Sequence, residues 1–347
     1  MKISNREFNN IKKGNQVYLI TNADSYENKD IILLECDDQT NEVEITLKYK
    51  FKTLDDCFKF IPFDLFGDFA SADEAKEYHK GINNVIVYRI KTNNDRKLED
   101  SLDKELLDLI DLSTINKNNV GHSASEVYEL KLKDGTNAIL KVQYLSSRNG
   151  LKAEYERNKW LEDKLNVPKV FYFKEINKIQ YYLREMKEGV SAHKVENFAP
   201  LVGENLKQIH NIDISACPFN NNDTDIILKQ TIDNIDIILP TILETYPDMN
   251  KESIIKFLND YKPADRVLVH GDYSLPNILV NENREVSLID LGDVSISTKY
   301  FDLYYLRKSF IRNKKMEYFD EFLKYYGLSS IDENSMKWMD IVDKALY

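Results

Sequence analysis

An acid and an amide stand five positions apart in VLVHGDYSLPNILV, residues 267–280, as Asp272 and Asn277, and a further acid, Asp290, lies in the IDLGD that follows. Two apolar runs flank Asn281-Glu282-Asn283-Arg284, the pattern of an antiparallel hairpin. A turn centred on Asn283 and Arg284 would set Asn277 opposite Asp290, so that an amide oxygen and a carboxylate meet at the open end of the hairpin. Oxygen donors of that kind suit a hard divalent cation, with Mg²⁺ the natural candidate. Asp272, on the loop before the hairpin, would face the same space without serving the metal. It could accept the proton of a hydroxyl and orient it for in-line attack on a phosphate.

The spacing D-x-x-x-x-N followed by Asp-x-Gly is that of a kinase catalytic loop and its metal-binding aspartate, here Asp290-Leu291-Gly292. Each fragment is weak evidence alone; the ordered string of strand, HGD, Asn, hairpin and IDLGD is specific. The remaining parts belong upstream. Lys141 ends the apolar run NAILKV, where a lysine can reach the α- and β-phosphates of a nucleotide. Glu154, on the helical stretch that follows, is the candidate partner for that ammonium. GHSAS, residues 121–125, occupies the place of a phosphate-covering loop, with Ser123 and neighbouring N–H groups as donors.

These groups need elements to hold them. NNVGHSASEVYELKLKDGTNAILKV reads as two strands joined by an Asp134-Gly135 turn. A helix is expected over LKAEYERNKWLEDKL, with Leu151, Tyr155, Trp160 and Leu161 on its buried side. VPKVFYFKEINKIQYYLREM supplies two more strands, and helical segments run from about 196 to 260. Earlier, GNQVYLIT, KDIILLEC and NEVEITLKYKF read as short strands. Helical stretches are expected at TLDDCFKFI, PFDLFGDF and ASADEAKEYHKG, the last with Ser71 as cap and Glu74 three residues on, before a final strand at INNVIVYRIK. The polar KTNNDRKLED is expected to link two domains. The division is therefore residues 1–92, a linker 93–102, and 103–347, the last with an N-lobe at about 111–186 and a C-lobe at about 187–347.

Length and composition agree: 347 residues exceed one ordinary domain, and 42% hydrophobic content supports a sizeable core. The net charge of −11 excludes a whole-molecule basic footprint for nucleic acid or anionic membrane. Residues 1–100 carry 15 basic against 19 acidic side chains, so the N-terminal part is not basic by itself. Cys36, Cys57 and Cys217 lack both CxxC spacing and a disulfide pattern, which points to a reducing, cytoplasmic home. No apolar run reaches the ~18 residues of a membrane span.

From about residue 111 onward the chain resembles the aminoglycoside phosphotransferase family, and within it the 3′-phosphotransferases. The likeness lies in VGHSASEVYEL, NAILKV, KWLEDKLNVPKV, IHNIDISACPFN, HGDYSLPNILV and IDLGDVSISTKYFDL. It implies an α+β, two-lobed protein-kinase-like fold using ATP or GTP with Mg²⁺, Asp272 as catalytic residue, Asn277 and Asp290 on the metal, and Lys141 paired with Glu154. It also implies that Glu185 and Lys187 lie in the segment whose backbone meets the purine, that Ile139 packs on the adenine, and that His270 and Asp302 brace the catalytic loop. Asp293 stands where these enzymes commonly carry arginine, and Arg312 near where they offer a substrate-facing acid. A polyamine sugar needs carboxylates in its pocket, for which Glu244, Asp343 and the terminal carboxylate of Tyr347 are the candidates. Residues 1 to 92 are similar to ASCH domains of the PUA-like β-barrel class, through IKKGNQVYLI, LKYKFKTLDDCFKFIPFDLFG and ADEAKEYHKGINNVIVYRIK. That class implies RNA binding, which the acidic balance limits to weak or local contact. The expected activity is transfer of a γ-phosphoryl group to an aminoglycoside hydroxyl, conferring resistance. The alternatives are another hydroxyl-bearing antibiotic or metabolite as acceptor, or an RNA-binding protein whose kinase half is regulatory.

Overall fold

The computed structural model describes residues 1–12, 18–37, 39–61, 63, 66–82, 84–92, 98, 102–118, 125–144, 150–176 and 179–346. The chain divides into two compact units, Met1–Gly150 with Lys174–Tyr182, and Leu151–Phe173 with Leu183–Tyr347.

In the first unit, β1 (Tyr18–Thr21), β2 (Ile31–Cys36), β3 (Gln39–Phe51) and β4 (Val85–Thr92) form an antiparallel sheet in the order β1-β4-β3-β2. β4 lies inside the sheet and is buried on both faces, which explains its unbroken apolar run. Val85 and Val87 pack with Tyr18, Cys57, Phe66 and Ala75 on one side. Ile86, Tyr88 and Ile90 pack with Leu34, Val43, Ile45 and Ile11 on the other. The helices α1 (Asn5–Lys12), α2 (Leu54–Phe60) and α3 (Ala72–Tyr78) accompany the sheet. Ser71 caps α3 by accepting from the Glu74 N–H, and the Glu74 carboxylate accepts in turn from Ala70 N at 2.8 Å. No α-helix forms among the described residues of PFDLFGDF; Phe63 is in a 3₁₀ turn, with Phe66 N donating to Phe63 O at 3.1 Å, and Gly67 takes a φ of 140°. Among the described residues the four strands make an open sheet, since β1 pairs with β4 and not with β2.

The ring of His79 is buried against Tyr78 and Phe69, and its Nε2 has no hydrogen-bond partner among the described residues. Burial therefore pushes its pKa below the ordinary value. A group with a depressed folded-state pKa binds its proton more readily in the unfolded chain, so stability is lost as pH falls through about 6.5. His79→Leu removes that linkage. The melting temperature of the wild type is expected to fall more steeply than that of the variant between about pH 7.5 and pH 5.5; parallel curves would refute it.

After α4 (Lys104–Leu109), the strands β5 (Ile110–Asn118), β6 (Glu126–Leu132) and β7 (Asn137–Tyr144) begin a second sheet. The hairpin of β8 (Val170–Ile176) and β9 (Ile179–Glu185) completes it in the order β5-β6-β7-β9-β8. The β6–β7 turn is a three-residue loop. Leu132 N and Thr136 O are hydrogen-bonded at 2.8 Å, and Gly135 sits at φ 91°.

The second unit opens with α5 (Leu151–Leu161), whose buried face comprises Leu151, Glu154, Arg157, Asn158 and Leu161. That differs from the expected face. Tyr155 and Trp160 are half-buried at its margins, Tyr155 stacked on Phe173 at 4.6 Å. The rest is α6 (Phe198–His210), α7 (Thr224–Asp233), α8 (Ile235–Thr245), α9 (Lys251–Asp260), α10 (Lys299–Arg312), α11 (Phe319–Tyr326) and α12 (Glu333–Leu346) around one core. Trp338, fully buried, donates its indole N–H to Leu258 O at 2.9 Å, tying α12 to α9. Two small sheets are set into this helical body: β10 (Val190–Ser191) with β12 (Ile278–Val280) and β13 (Val286–Leu288), and β11 (Val267–Val269) with β14 (Ser295–Ser297).

Candidate active site

β11 delivers the chain to His270-Gly271-Asp272, and a single 3₁₀ turn, Leu275–Asn277, returns it into β12. The turn has its own supports. Ser274 N donates to Asp272 O at 2.8 Å, Leu275 N to the Ser309 hydroxyl at 2.9 Å, and the buried Tyr273 phenol to Val202 O at 2.9 Å. Gly271 has φ 88°, and a Cβ there would collide with the backbone of Asp293. The loop thus lies directly on the segment that carries Asp290.

Asp302, fully buried on α10, holds the loop from below. One carboxylate oxygen accepts from His270 N at 2.8 Å and the other from Gly271 N at 2.9 Å. His210 Nε2 adds a third contact at 3.1 Å. The carboxylate can only accept there, so Nε2 carries the proton and Nδ1 receives the Tyr326 hydroxyl at 2.8 Å. Burial, with Asp302 nearby, pushes the Tyr326 phenol well up, which keeps it a donor. The His270 ring works the same way. Its Nε2 donates to Ile289 O at 3.1 Å and its Nδ1 accepts from Asp272 N at 3.3 Å.

Asn277, buried, donates its amide Nδ2 to the Asp272 carboxylate Oδ2 at 2.8 Å and to Asp272 O at 3.1 Å. That bond fixes the rotamer of both side chains. It also leaves the Asn277 oxygen as an acceptor and the other Asp272 oxygen free for a donor, with no described residue on either. Asn277 and Asp290 do not face each other as expected. β12 and β13 pair as Ile278↔Leu288, Leu279↔Ser287 and Val280↔Val286, and Ile289 N donates to Asn277 O at 3.1 Å. Ile289 is therefore opposite Asn277, and Asp290 comes one residue later. Beyond the strands Asn281 N still donates to Glu285 O at 3.1 Å, which leaves a three-residue loop, 282–284, with Arg284 left-handed at φ 62° and its guanidinium donating to Glu196 O and Asn197 O. Asp290 itself is exposed and left-handed, at φ 59°, so the backbone turns at that residue as it leaves the hairpin.

Arg157, on the buried face of α5, donates to Val294 O at 2.6 Å and to Asn221 Oδ1 at 2.8 Å, while Asn222 Nδ2 donates to Asp293 O at 3.1 Å. Asp293 is the departure from the resembled pattern noted in the sequence. The guanidinium beside it comes from Arg157. Neither Arg157 nor His210 was singled out in the sequence, because an arginine in a charged helix and a histidine at a helix end carry no spacing signal.

The other expected site residues are placed as follows. Lys141 and Ile139 lie on β7, both buried. Glu154 is buried on α5, its carboxylate 3.8 Å from Arg184 Nε. The Glu185 carboxylate accepts from Lys169 N at 3.0 Å and from Lys187 Nζ at 3.0 Å, and its carbonyl accepts from Arg184 at 3.2 Å. Glu244 is exposed on α8, and Arg312 is exposed at the end of α10. Asp343 is not an open acid: the Tyr305 hydroxyl and Lys308 Nζ donate to its two oxygens, while the single Tyr304 proton lies nearer Asp340, at 2.8 Å. Ser123 and Tyr347 lie outside the described residues.

Metal-binding capacity can be judged from the donors. Among the described residues no group of three or more His, Cys, Asp or Glu could hold an ion. An amide oxygen with one neighbouring carboxylate suits Mg²⁺, which keeps waters and uses substrate phosphates as ligands.

Residues 114–339 match the APH model, the phosphotransferase enzyme family. The chain belongs to that family. It is a phosphotransferase acting on hydroxyl groups. Among its relatives, the aminoglycoside 3′-phosphotransferase of Niallia circulans is 30% identical over 256 residues, 70% of this chain and 96% of that protein. The enzyme of the same name from Enterococcus faecalis is 28% identical over 261 residues, 69% of this chain and 96% of that protein. The type VIII aminoglycoside-3′-phosphotransferase crystal structure aligns with a TM-score of 0.54 at 23% identity, covering 67% of this chain and 94% of its own. A Streptomyces rimosus phosphotransferase, APH(3″)-Id, solved with ADP and streptomycin, gives 0.51 at 19% identity, covering 67% and 92%. These likenesses establish the mixed α+β, kinase-like fold. The APH family match starts at residue 114, so the N-terminal sheet lies outside it.

Proposed function

We propose that the protein transfers the γ-phosphoryl group of ATP or GTP to a hydroxyl of an aminoglycoside antibiotic and so confers resistance. The observation that carries the reading is the Asn277 amide clamping one oxygen of Asp272 at 2.8 Å on a loop that Asp302 holds rigid. The relatives named aminoglycoside 3′-phosphotransferases and the neighbour solved with ADP and streptomycin support the acceptor and donor classes.

In this reading the unclamped oxygen of Asp272 accepts the hydroxyl proton and aims the nucleophile at the γ-phosphorus. Because Asn277 prevents the carboxylate from rotating, the attacking oxygen is held in one line of approach. The Asn277 oxygen and Asp290 would hold Mg²⁺, which when bound neutralises charge on the phosphate oxygens. Lys141 positions the triphosphate, and the backbone near Glu185 and Lys187 meets the purine. For residues 1–92 we retain an ASCH-like module with local RNA contact at most. The outward side of β2 there shows Ile31 and Leu33 opposite Glu44 and Glu42, an apolar and acidic surface unsuited to phosphate.

The test is to incubate the purified protein with Mg²⁺, ATP or GTP and a panel of aminoglycosides and map the product by NMR. A phosphorylated sugar hydroxyl is expected. Turnover of a different hydroxyl compound with none of the panel modified would transfer the reading to that acceptor. Asp290→Asn, at an exposed position, should raise the Mg²⁺ concentration for half-maximal rate at least about tenfold, the equivalent of ~1.4 kcal/mol. An unchanged Mg²⁺ requirement would remove Asp290 from the metal.

A further inference from the structure

Arg157 is a cation on a helix face that a buried apolar side chain could fill. It belongs to the inner side of α5 and is 8% exposed. Its Nε donates to Val294 O at 2.6 Å, one terminal nitrogen to Asn221 Oδ1 at 2.8 Å and the other to Ala153 O at 3.2 Å. The guanidinium carbon lies 4.9 Å from the centroid of the Phe219 ring. Among the described residues its acceptors are neutral oxygens, so the hydrogen bonds are met while the charge is buried without a bonded carboxylate, which costs the fold. What the guanidinium does that a methionine could not is to join three segments: α5, the loop 219–222 and the stretch that follows Asp290.

Asp290 sits between two anchored ends. Before it, Ile289 N donates to Asn277 O at 3.1 Å. After it, Val294 N donates to Leu291 O at 3.3 Å, closing a turn whose last carbonyl is the one Arg157 holds. The loop that Arg157 grips at Asn221 is bonded to the same stretch, Asn222 Nδ2 to Asp293 O at 3.1 Å and Asn222 N to the Ser295 hydroxyl at 3.1 Å. α5 also packs on it directly: a Cβ added to Gly292 would lie 3.9 Å from the Cβ of Glu154. A residue with a side chain keeps a left-handed backbone, as Asp290 does at φ 59°, only where its neighbours over-determine it. Arg157 secures the neighbours on the downstream side.

We infer that Arg157 is a positioning residue, which fixes Asp290 for the metal by pinning Val294 to α5. The inference rests on the proposed function only for the place of Asp290 on Mg²⁺, and it holds for any acceptor. Its sign separates it from an effect of charge. A cation near the site repels Mg²⁺, so loss of the charge alone would tighten metal binding, whereas loss of the anchor weakens it.

The experiment measures ATP and GTP affinity by calorimetry with saturating Mg²⁺ and again in EDTA, and takes the ratio for the tighter nucleotide as the metal's contribution. Wild type, Arg157→Met, Arg157→Lys, Asp290→Asn and the double variant Arg157→Met with Asp290→Asn are compared below their melting temperatures. Arg157→Met is expected to lower the ratio about tenfold, all of it in the Mg²⁺ arm, with the EDTA affinity unchanged. Arg157→Lys keeps the charge but has one nitrogen where the guanidinium uses three, and should lose about threefold. In the double variant the ratio should equal that of Asp290→Asn alone, because the two residues act through one contact to the metal. A ratio unchanged or raised by Arg157→Met, an equal fall in both arms, or additive losses in the double variant would overturn the inference. If Asp290→Asn keeps the wild-type ratio, the metal assignment falls and the inference with it. If Asp290→Asn lowers the ratio and Arg157→Met does not, the metal assignment stands and the inference alone falls. Arg157→Gln takes the place of Arg157→Met should the latter fail to fold.

Discussion

Asp272→Asn is expected to reduce kcat by about 10²–10⁴-fold while leaving nucleotide affinity at the wild-type value. The substitution is chosen for what it preserves. An asparagine keeps one oxygen to receive the Asn277 amide, now seen at 2.8 Å, and the backbone bonds of the loop do not involve the side chain. What changes is the other atom of the head group, from an oxygen that accepts a proton to an NH₂ that can only donate. An incoming hydroxyl then meets a donor where it needs an acceptor. The loss should fall on kcat and kcat/KM alike, the signature of an interaction made in the transition state. Calorimetric titration with nucleotide and Mg²⁺ supplies the control. A variant keeping more than about a tenth of its turnover would assign proton acceptance to another group.

Much of this centre was legible in the sequence, and the misses have a common cause. Residue type and spacing pointed to Asp272 and Asn277, and the resemblance added His270 and Asp302 as braces; in the fold, hydrogen bonds join the four. Spacing could not give register. Both hairpins that matter close through three-residue loops ending in a left-handed residue, Gly135 and Arg284, where a two-residue turn was expected. A turn signal marks which residues reverse the chain, but loop length decides what lies opposite what, and one residue moved Asn277 from Asp290 to Ile289. The helix Leu151–Leu161 misled for a different reason. Its aromatic residues looked like the buried stripe, yet Glu154 and Arg157 occupy the inner face because partners there, Arg184 for one and Val294 O with Asn221 for the other, compensate them. Apolar periodicity is blind to a charge that will be satisfied by a residue more than a hundred positions away. The same limit hid Lys308, an ordinary lysine until Asp343 and two tyrosines surround it.

Asp302→Ala should cost the fold about 3–5 kcal/mol and, at temperatures where the variant remains folded, about 10²-fold in kcat. Two consequences follow from a single carboxylate because it receives three donors in a fully buried position. Removing it strands the N–H groups of His270 and Gly271, each of which then bears a desolvation penalty of about 1–3 kcal/mol. Gly271 cannot relax to recover, since its φ of 88° already places it against Asp293. The loop must shift as a body, and with it Asp272, which makes no bond of its own to α10 and owes its place to these neighbours. A displacement of about 1 Å suffices to spoil in-line attack. Asp302→Asn separates the two effects, because its oxygen can still receive one of the N–H groups while its NH₂ opposes the other donors. It should fall between the wild type and the alanine variant in melting temperature and in kcat. Calorimetric melting and steady-state rates on the same preparations decide the matter, and an alanine variant that melts with the wild type would show that the loop is held by something else.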